Sequence, residues 1–187
     1  GGANGSNYRE FTISCTLTQE GLERTDEIIQ AVFNYLALIK ARGFDEWRYL
    51  EKKAVLESAF RFQEPTRPLD LASHLVVNMQ HYQEQDTIYG DFKMAEYQPE
   101  QLKQLTRFFT VDNLRVTLIA KDLDYDQTAN WYFTPYSVKL LSQYQRELYQ
   151  QPSKIKAELP ERNPFICYNL TPKPLDEQSN EPTIISE

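Results

Sequence analysis

The chain has 187 residues, which is long enough for one well-formed domain and a tail. Its composition is 41% hydrophobic, 13% aromatic and 25% charged, and these values exclude a chain that is disordered throughout. A net charge of −7 without any basic run argues against nucleic acid or an anionic membrane as the main partner, and no apolar stretch is long enough to span a bilayer. We therefore expect a globular protein with neither kind of partner.

The first predicted element is a strand over Phe11–Leu17, where apolar side chains fall on every second residue. This alternation predicts a half-buried strand with Cys15 as a small core residue on its inward face. A long helix is expected next, because Thr18 can cap its start and Gly43 can supply its left-handed stop. Asp45 then predicts the start of a second helix.

The middle of the chain predicts two further helices and a second strand. Asp70 can open a short third helix, residues 81–96 show no clear period, and Pro99 suits the first position of a fourth helix. Leu114–Ala120 is rich in branched side chains and predicts a strand. This segment is the best partner for the first strand.

A last amphipathic helix is predicted over Ser137–Tyr149, and the composition changes after it. Six of the ten prolines lie from Pro152 onward, which excludes a packed helix or a central strand there. Thr183–Ile185 ends this tail as a short strand-like run. We interpret residues 1–150 as one partial domain and residues 151–187 as a Pro-rich interdomain linker. The predicted fold class is α+β, with helices packed on a small, incomplete antiparallel sheet.

The histidines do not match a zinc peptidase motif, which places two histidines and a glutamate on one helical face. His74 and His81 are the only two histidines, and no glutamate has the spacing of the inverted motif. We favour structural or surface roles for both, and we predict no catalytic and no metal-binding residue. The acidic run over Glu20–Glu27 is assigned to the helix dipole, because it lacks the ligand spacing of a calcium loop.

Arg67 is a candidate anion-binding residue, since it is held between a threonine and a proline. The alternative is a local ion pair with Glu64 or Asp70, as exposed charges commonly form. We favour this local pair over anion binding.

Six short stretches resemble the pitrilysin and insulysin family of zinc metallopeptidases, in its non-catalytic second domain. They are Leu17–Leu22, Ala59–Phe62, Arg67, Asn113–Val116, Trp131–Tyr132 with Pro135–Tyr136, and Leu159–Ile166. The last resembles the bacterial members of the family most closely. Their shared order and spacing over nearly the whole chain make the resemblance specific.

The resemblance implies an enzyme of two bowl-shaped halves, each of two related α+β domains, which close on a chamber that admits peptides. Zinc is implied in the parent enzyme, held by its first domain, and no cofactor is implied in this chain. The chain itself is implied to be a fragment, half of a metallopeptidase-like α/β domain with strands missing upstream of Gly1. It would form chamber wall, contact the remaining domains and peptide substrates, and be inactive alone. A bacterial pitrilysin-like parent would be periplasmic or secreted.

The resemblance also implies a secondary peptide-binding site, or exosite, over Gly1–Ile13. In such enzymes this region looks like the site that anchors the N-terminal end of a substrate by strand addition. Gly1, Gly2, Thr12 and Ile13 are the candidate residues. The alternative is that this strand is paired on both sides in the whole domain.

Two other functions stay open. One is a metal-free, core-like structural subunit of the same fold family. The other is an unrelated acidic module that binds peptides or proteins. A zinc motif upstream in the gene would argue against the first, and a chain several times longer would argue against the second.

Overall fold

The computed structural model describes residues 2–3 and 5–172, which divide into two compact units. Among the described residues, the first unit contains those up to Phe44 together with Pro99–Pro160, and the second contains Asp45–Gln98 and residues 161–172. In chain order the elements are α1 (Gln19–Glu23), α2 (Thr25–Arg42), α3 (Glu46–Arg61), α4 (Pro68–Asn78), α5 (Pro99–Thr106), β1 (Gln127–Thr128), β2 (Pro135–Tyr136) and α6 (Gln143–Leu148). No helix in the described ranges is long and apolar enough to cross a bilayer. The predicted run at Thr183–Ile185 lies outside the described residues.

The predicted first helix is divided into α1 and α2 at Arg24, whose backbone leaves the helical region with φ −114° and ψ 29°. The Arg24 guanidinium bonds Glu20 on α1 at 2.9 Å and Glu27 on α2 at 2.6 Å, so it connects the two pieces. Thr18 Oγ1 accepts the Gly21 N–H at 3.1 Å, which confirms the predicted cap. Gly43, with φ 79°, ends α2 as predicted.

The fold class is α+β, as predicted, with mostly helical structure and a small antiparallel sheet. The sheet is not where the side-chain pattern placed it. Gln127 pairs with Tyr136 and Thr128 with Pro135, in a hairpin of two short strands.

The two predicted strands, 11–17 and 114–120, are not strands in the described part of the chain. Their neighbourhoods are in contact at two points, since Glu10 pairs with Arg115 at 2.5 Å and the Phe11 and Phe109 ring centroids are 5.1 Å apart. The predicted buried face is also wrong, since Phe11 is 59% exposed and Cys15 is exposed. A strand requires a ladder of backbone hydrogen bonds, which alternating side chains favour but do not supply.

The centre of the first unit is the contact of α2 with α6. Tyr149, just after α6, is 1% exposed, and its ring stacks on Phe33 of α2 with centroids 6.2 Å apart. Gln30, also on α2 and buried, donates to the carbonyl oxygens of Gln151 and Pro152 at 3.2 and 3.3 Å. These bonds fix the chain as it leaves α6.

The second unit is built around the aromatic end of α3. The Phe60 ring contacts Tyr89 and Phe92, with centroid distances of 4.8 and 5.4 Å, so these two rings pack against α3. The neighbouring Ile88 is 63% exposed. Helix α4 begins at Pro68 and not at Asp70, because proline is well suited to the first helical position.

Residues 151–172 form neither helix nor strand, as their prolines predict. In the second unit this segment lies against the start of α3. The Arg162 guanidinium lies 5.1 Å from the Trp47 ring centroid, and the Asn163 N–H donates to Glu51 Oε1 at 3.2 Å. The function of 151–187 as an interdomain linker, with a boundary near residue 150, stays a prediction.

Candidate functional site

The N-terminal segment that carries the predicted exosite folds back on itself. The Glu10 N–H donates to the Ala3 carbonyl at 2.8 Å, and the Gly5 N–H donates to the Tyr8 carbonyl at 3.1 Å. Gly2 therefore lies directly against Glu10. A Cβ atom added at Gly2 would be 1.8 Å from the Glu10 carbonyl oxygen, so only glycine fits this approach.

The structure brings Gly2 close to the chain that leads into Thr12 and Ile13. Both of these residues are exposed, Ile13 to 51% of its surface. The Glu10–Arg115 ion pair fixes the segment just before them. Gly1, the fourth predicted residue, lies outside the described residues.

Arg67 lies at the position that precedes the first turn of α4, and it is exposed. Among the described residues it forms no ion pair with Glu64 or Asp70, so the local pair that the sequence favoured is not formed. Its side chain makes no cap bond to the helix. Anion binding at Arg67 stays a prediction.

His74 belongs to a hydrogen-bonded cluster that closes the loop after α4. Its Nε2 lies 2.7 Å from Asp91 Oδ2. Asn78, the buried residue of α4, donates to the same oxygen at 3.0 Å and to the Thr87 carbonyl at 3.0 Å. The Tyr82 hydroxyl donates to the other Asp91 oxygen at 2.8 Å. We call these five residues the Asp91 cluster.

The Asp91 carboxylate is held in its charged form. Burial acts to raise the pKa of Asp91, but the bonds from Asn78 and Tyr82 and the nearby His74 outweigh it, and the pKa lies below its ordinary value. The Asp91 cluster is thus explained by its hydrogen bonds, which hold the loop after α4 to that helix.

The described residues of this chain do not fit a zinc ion. A catalytic site needs three protein ligands with tetrahedral directions, and His74 already shares Asp91 with two hydrogen-bond donors. No group of three or more His, Cys, Asp or Glu side chains within the described ranges could hold a metal. We therefore derive no chemical step through zinc in this chain.

An open groove of about 500 Å³ lies in the first unit, between the start of α2, residues 116–118 and α6. At one side the Tyr149 hydroxyl donates to Asp26 Oδ1 at 2.5 Å, and Gln145 Nε2 donates to the same oxygen at 3.2 Å. Burial, with the Asp26 bond as a second cause, raises the pKa of Tyr149 above its ordinary value. The rest of the groove lining is mixed. Glu23, Arg24, Thr25 and Glu27 contribute polar groups, and the apolar side chains are Leu22, Ile29, Val116, Leu118, Leu141 and Leu148.

The tertiary role of Asp26 is not visible in the sequence, where the acidic run is explained by the helix dipole. In the structure Glu20 and Glu27 both pair with Arg24, and Asp26 has a distant partner. The bond from Tyr149 to Asp26 joins residues 123 positions apart, and no local pattern carries that information. The signal present in the sequence is the four-residue separation of Asp26 and Gln30, which places both side chains on the same face of the helix.

A family model described as the middle or third domain of peptidase M16 matches residues 60–187. Nardilysin from Rattus norvegicus is 29% identical over 91% of this chain, and the human insulin-degrading enzyme is 27% identical over all of it. Protease 3 from Salmonella typhimurium is 30% identical over 94% of the chain. The chain spans only 15%, 18% and 18% of the length of these three relatives.

A crystal structure of pitrilysin has a similar fold. It superposes with a TM-score of 0.69 over 72% of this chain, at 27% sequence identity, and the match covers 14% of the pitrilysin chain. The structural match therefore agrees with the sequence matches that this chain corresponds to a small part of much longer proteins.

Proposed function

Because this chain belongs to the M16 peptidase family, as the match of residues 60–187 to its middle or third domain shows, we propose that it forms a non-catalytic part of a longer zinc metalloendopeptidase. In that enzyme it builds chamber wall and contributes a peptide exosite. The observation that carries the proposal is the match of residues 60–187 to the middle or third domain of this peptidase family.

The exposed apolar surface of the first unit supports a role as one wall of a larger assembly. Within residues 2–3 and 5–172, Val111 and Tyr149 are the only apolar or aromatic side chains that are fully buried. Val116 and Leu118, which line the groove, are 42% and 39% exposed. Each large apolar side chain gains about 1.5–3 kcal/mol on burial, so a surface of this kind favours contact with further domains.

The exosite is proposed at Gly2, Thr12 and Ile13, with Gly1 kept as a candidate on sequence grounds alone. The support is the close approach of Gly2 to Glu10 and the exposure of the following residues. An extended peptide can add to such a segment through backbone hydrogen bonds. Arg67, in the second unit, is a separate anion-binding candidate on sequence grounds alone.

The proposal is tested in the native gene product that contains this chain, with a long and a short fluorogenic peptide. Gly2→Ala forces the Glu10 backbone to move, because the new Cβ would lie 1.8 Å from its carbonyl oxygen. We expect a several-fold rise in KM for the long peptide and little change for the short one. Gly21→Ala is the matched control, because its Cβ has no neighbour closer than 3.5 Å.

Two results would overturn parts of the proposal. An unchanged KM for the long peptide, or an equal rise in KM for both peptides, would refute the exosite. A gene product without zinc and without activity on the short peptide would refute the proposal that the longer protein is a peptidase, and it would favour the metal-free structural subunit.

A further inference from the structure

The tip of the β1–β2 hairpin consists of three consecutive aromatic residues that lie almost wholly in solvent. Trp131, Tyr132 and Phe133 are 90%, 88% and 76% exposed. The Ala129 N–H donates to the Thr134 carbonyl at 2.9 Å, and the Phe133 N–H donates to the Ala129 carbonyl at 2.9 Å. The three rings are thus presented by a hydrogen-bonded turn.

Phe133, at the tip, has a backbone conformation that is unusual for an aromatic residue. Phe133 has φ 53°, in the left-handed region that bulky aromatic residues rarely adopt. Such a conformation persists where the surrounding structure requires it, and it is concentrated at functional positions. A glycine would satisfy the turn better, so the aromatic ring at this position indicates a use for the ring itself.

The arm that leads into the hairpin is acidic. Residues 121–126 contain Lys121 and the three aspartates Asp122, Asp124 and Asp126, a net charge of −2. In the part of the chain that the structure describes, none of these three carboxylates forms an ion pair. An apolar tip with an acidic base is complementary to an apolar pocket with a basic rim, and it is a poor match for an anionic bilayer.

We propose that Trp131–Phe133 is a docking surface for another domain of the same longer polypeptide, whose apolar pocket is rimmed by lysine or arginine side chains. This rests on the proposed function, which places the chain inside a longer peptidase. Each aromatic side chain buries about 150–250 Å², so three of them supply a large share of the roughly 600–1,500 Å² of an interdomain interface. The length argues the same way, because the chain spans 18% of the human relative.

The test is site-specific photo-crosslinking in the native gene product that contains this chain. Tyr132 is replaced by p-benzoylphenylalanine, the sample is irradiated, and the linked peptide is identified by mass spectrometry. Leu140, which is 93% exposed and lies outside the tip, takes the same replacement as the matched control. We expect Tyr132 to link to a site in the same polypeptide beyond these 187 residues, at a yield several-fold above that of Leu140.

The basic rim is tested by a charge reversal. Asp124→Lys with Asp126→Lys should lower the crosslinking yield several-fold at low salt, because it introduces like charges at the rim. Asp70→Lys, at an exposed acid of α4, is the control and should leave the yield unchanged.

Four outcomes overturn the proposal: a yield equal to that of Leu140, a link to a second copy, a link to a separate protein, or a link to lipid when anionic vesicles are added. A gene product that crosslinks as expected but lacks peptidase activity and zinc would leave the docking surface intact and remove the proposed function. The reverse result would remove the docking surface alone.

Discussion

Removal of the Tyr149 hydroxyl should destabilise the first unit by about 1–2 kcal/mol. Tyr149 is 1% exposed, and its hydroxyl donates to the Asp26 carboxylate at 2.5 Å. A hydrogen bond to a charged group contributes about 1.5–3 kcal/mol, and the loss is smaller here because Asp26 keeps its bond from Gln145. Tyr149→Phe retains the ring and its stack on Phe33, so the change isolates the hydroxyl.

The assay is urea unfolding of the 187-residue chain followed by circular dichroism, with Tyr132→Phe as the matched control. Tyr132 is 88% exposed, so its variant should unfold at the wild-type midpoint. Asp26→Asn and the double variant complete a mutant cycle, which should give a coupling energy of about 1 kcal/mol between the two side chains.

The same bond predicts a dependence of stability on alkaline pH. The pKa of Tyr149 is raised in the folded state above its ordinary value of 10.0. The stability that Tyr149 contributes is therefore present below about pH 10 and is lost as the pH rises above it, because the unfolded chain then releases its proton first. Tyr149→Phe should lose less stability than wild type as the pH rises above about 10.

Two results would refute this reasoning. One is a Tyr149→Phe variant within about 0.5 kcal/mol of wild type, since a satisfied buried bond should contribute more than that. The other is an alkaline loss of stability that is identical in both proteins, because the remaining tyrosines would then account for it.

Two further predictions concern the second unit. Because hydrogen bonds lower the pKa of Asp91, the Asp91 cluster should contribute stability above about pH 4 that is lost as the pH falls. Asn78→Ala should therefore move the midpoint of acid unfolding, measured by circular dichroism, to higher pH. An unchanged midpoint would contradict the assignment. The Arg162 guanidinium lies over the Trp47 ring, 5.1 Å from its centroid. In a Trp131→Phe background, Arg162→Ala should increase acrylamide quenching of Trp47 fluorescence and speed limited proteolysis over residues 160–166. Arg61→Ala, which removes an arginine at the other end of α3, should leave both measurements at their wild-type values.

The local signals in the sequence predicted the start of α1, the end of α2 and the start of α5, whereas α4 begins at Pro68 and not at Asp70, and α6 begins at Gln143 and not at Ser137. Thr18 accepts the predicted backbone bond, Gly43 adopts the predicted left-handed conformation, and Pro99 begins α5. These features depend on neighbours within four residues along the chain, so a reader of the sequence has all the information that they require. The family resemblance was likewise decided by residue order alone, and the comparisons confirm it.

The sheet could not be predicted in the same way. Phe11–Leu17 has the right alternation, but alternation describes one segment, and a strand exists only when a second segment offers its backbone in register. The structure instead forms its hairpin at Gln127–Tyr136, around a tip whose aromatic residues the side-chain pattern did not mark as exposed.

The tertiary structure alone decided which polar residues are buried and what they bond. Gln30 and Asn78 are buried although their side chains are polar, and each is satisfied by groups that arrive from elsewhere in the fold: the carbonyl of Gln151 for one, and the Asp91 carboxylate for the other. A buried polar group is stable only with its partner in place. The sequence specifies the donor side chain. Its acceptor can be as many as 122 residues away along the chain, and the two come within hydrogen-bond distance only when the chain has folded.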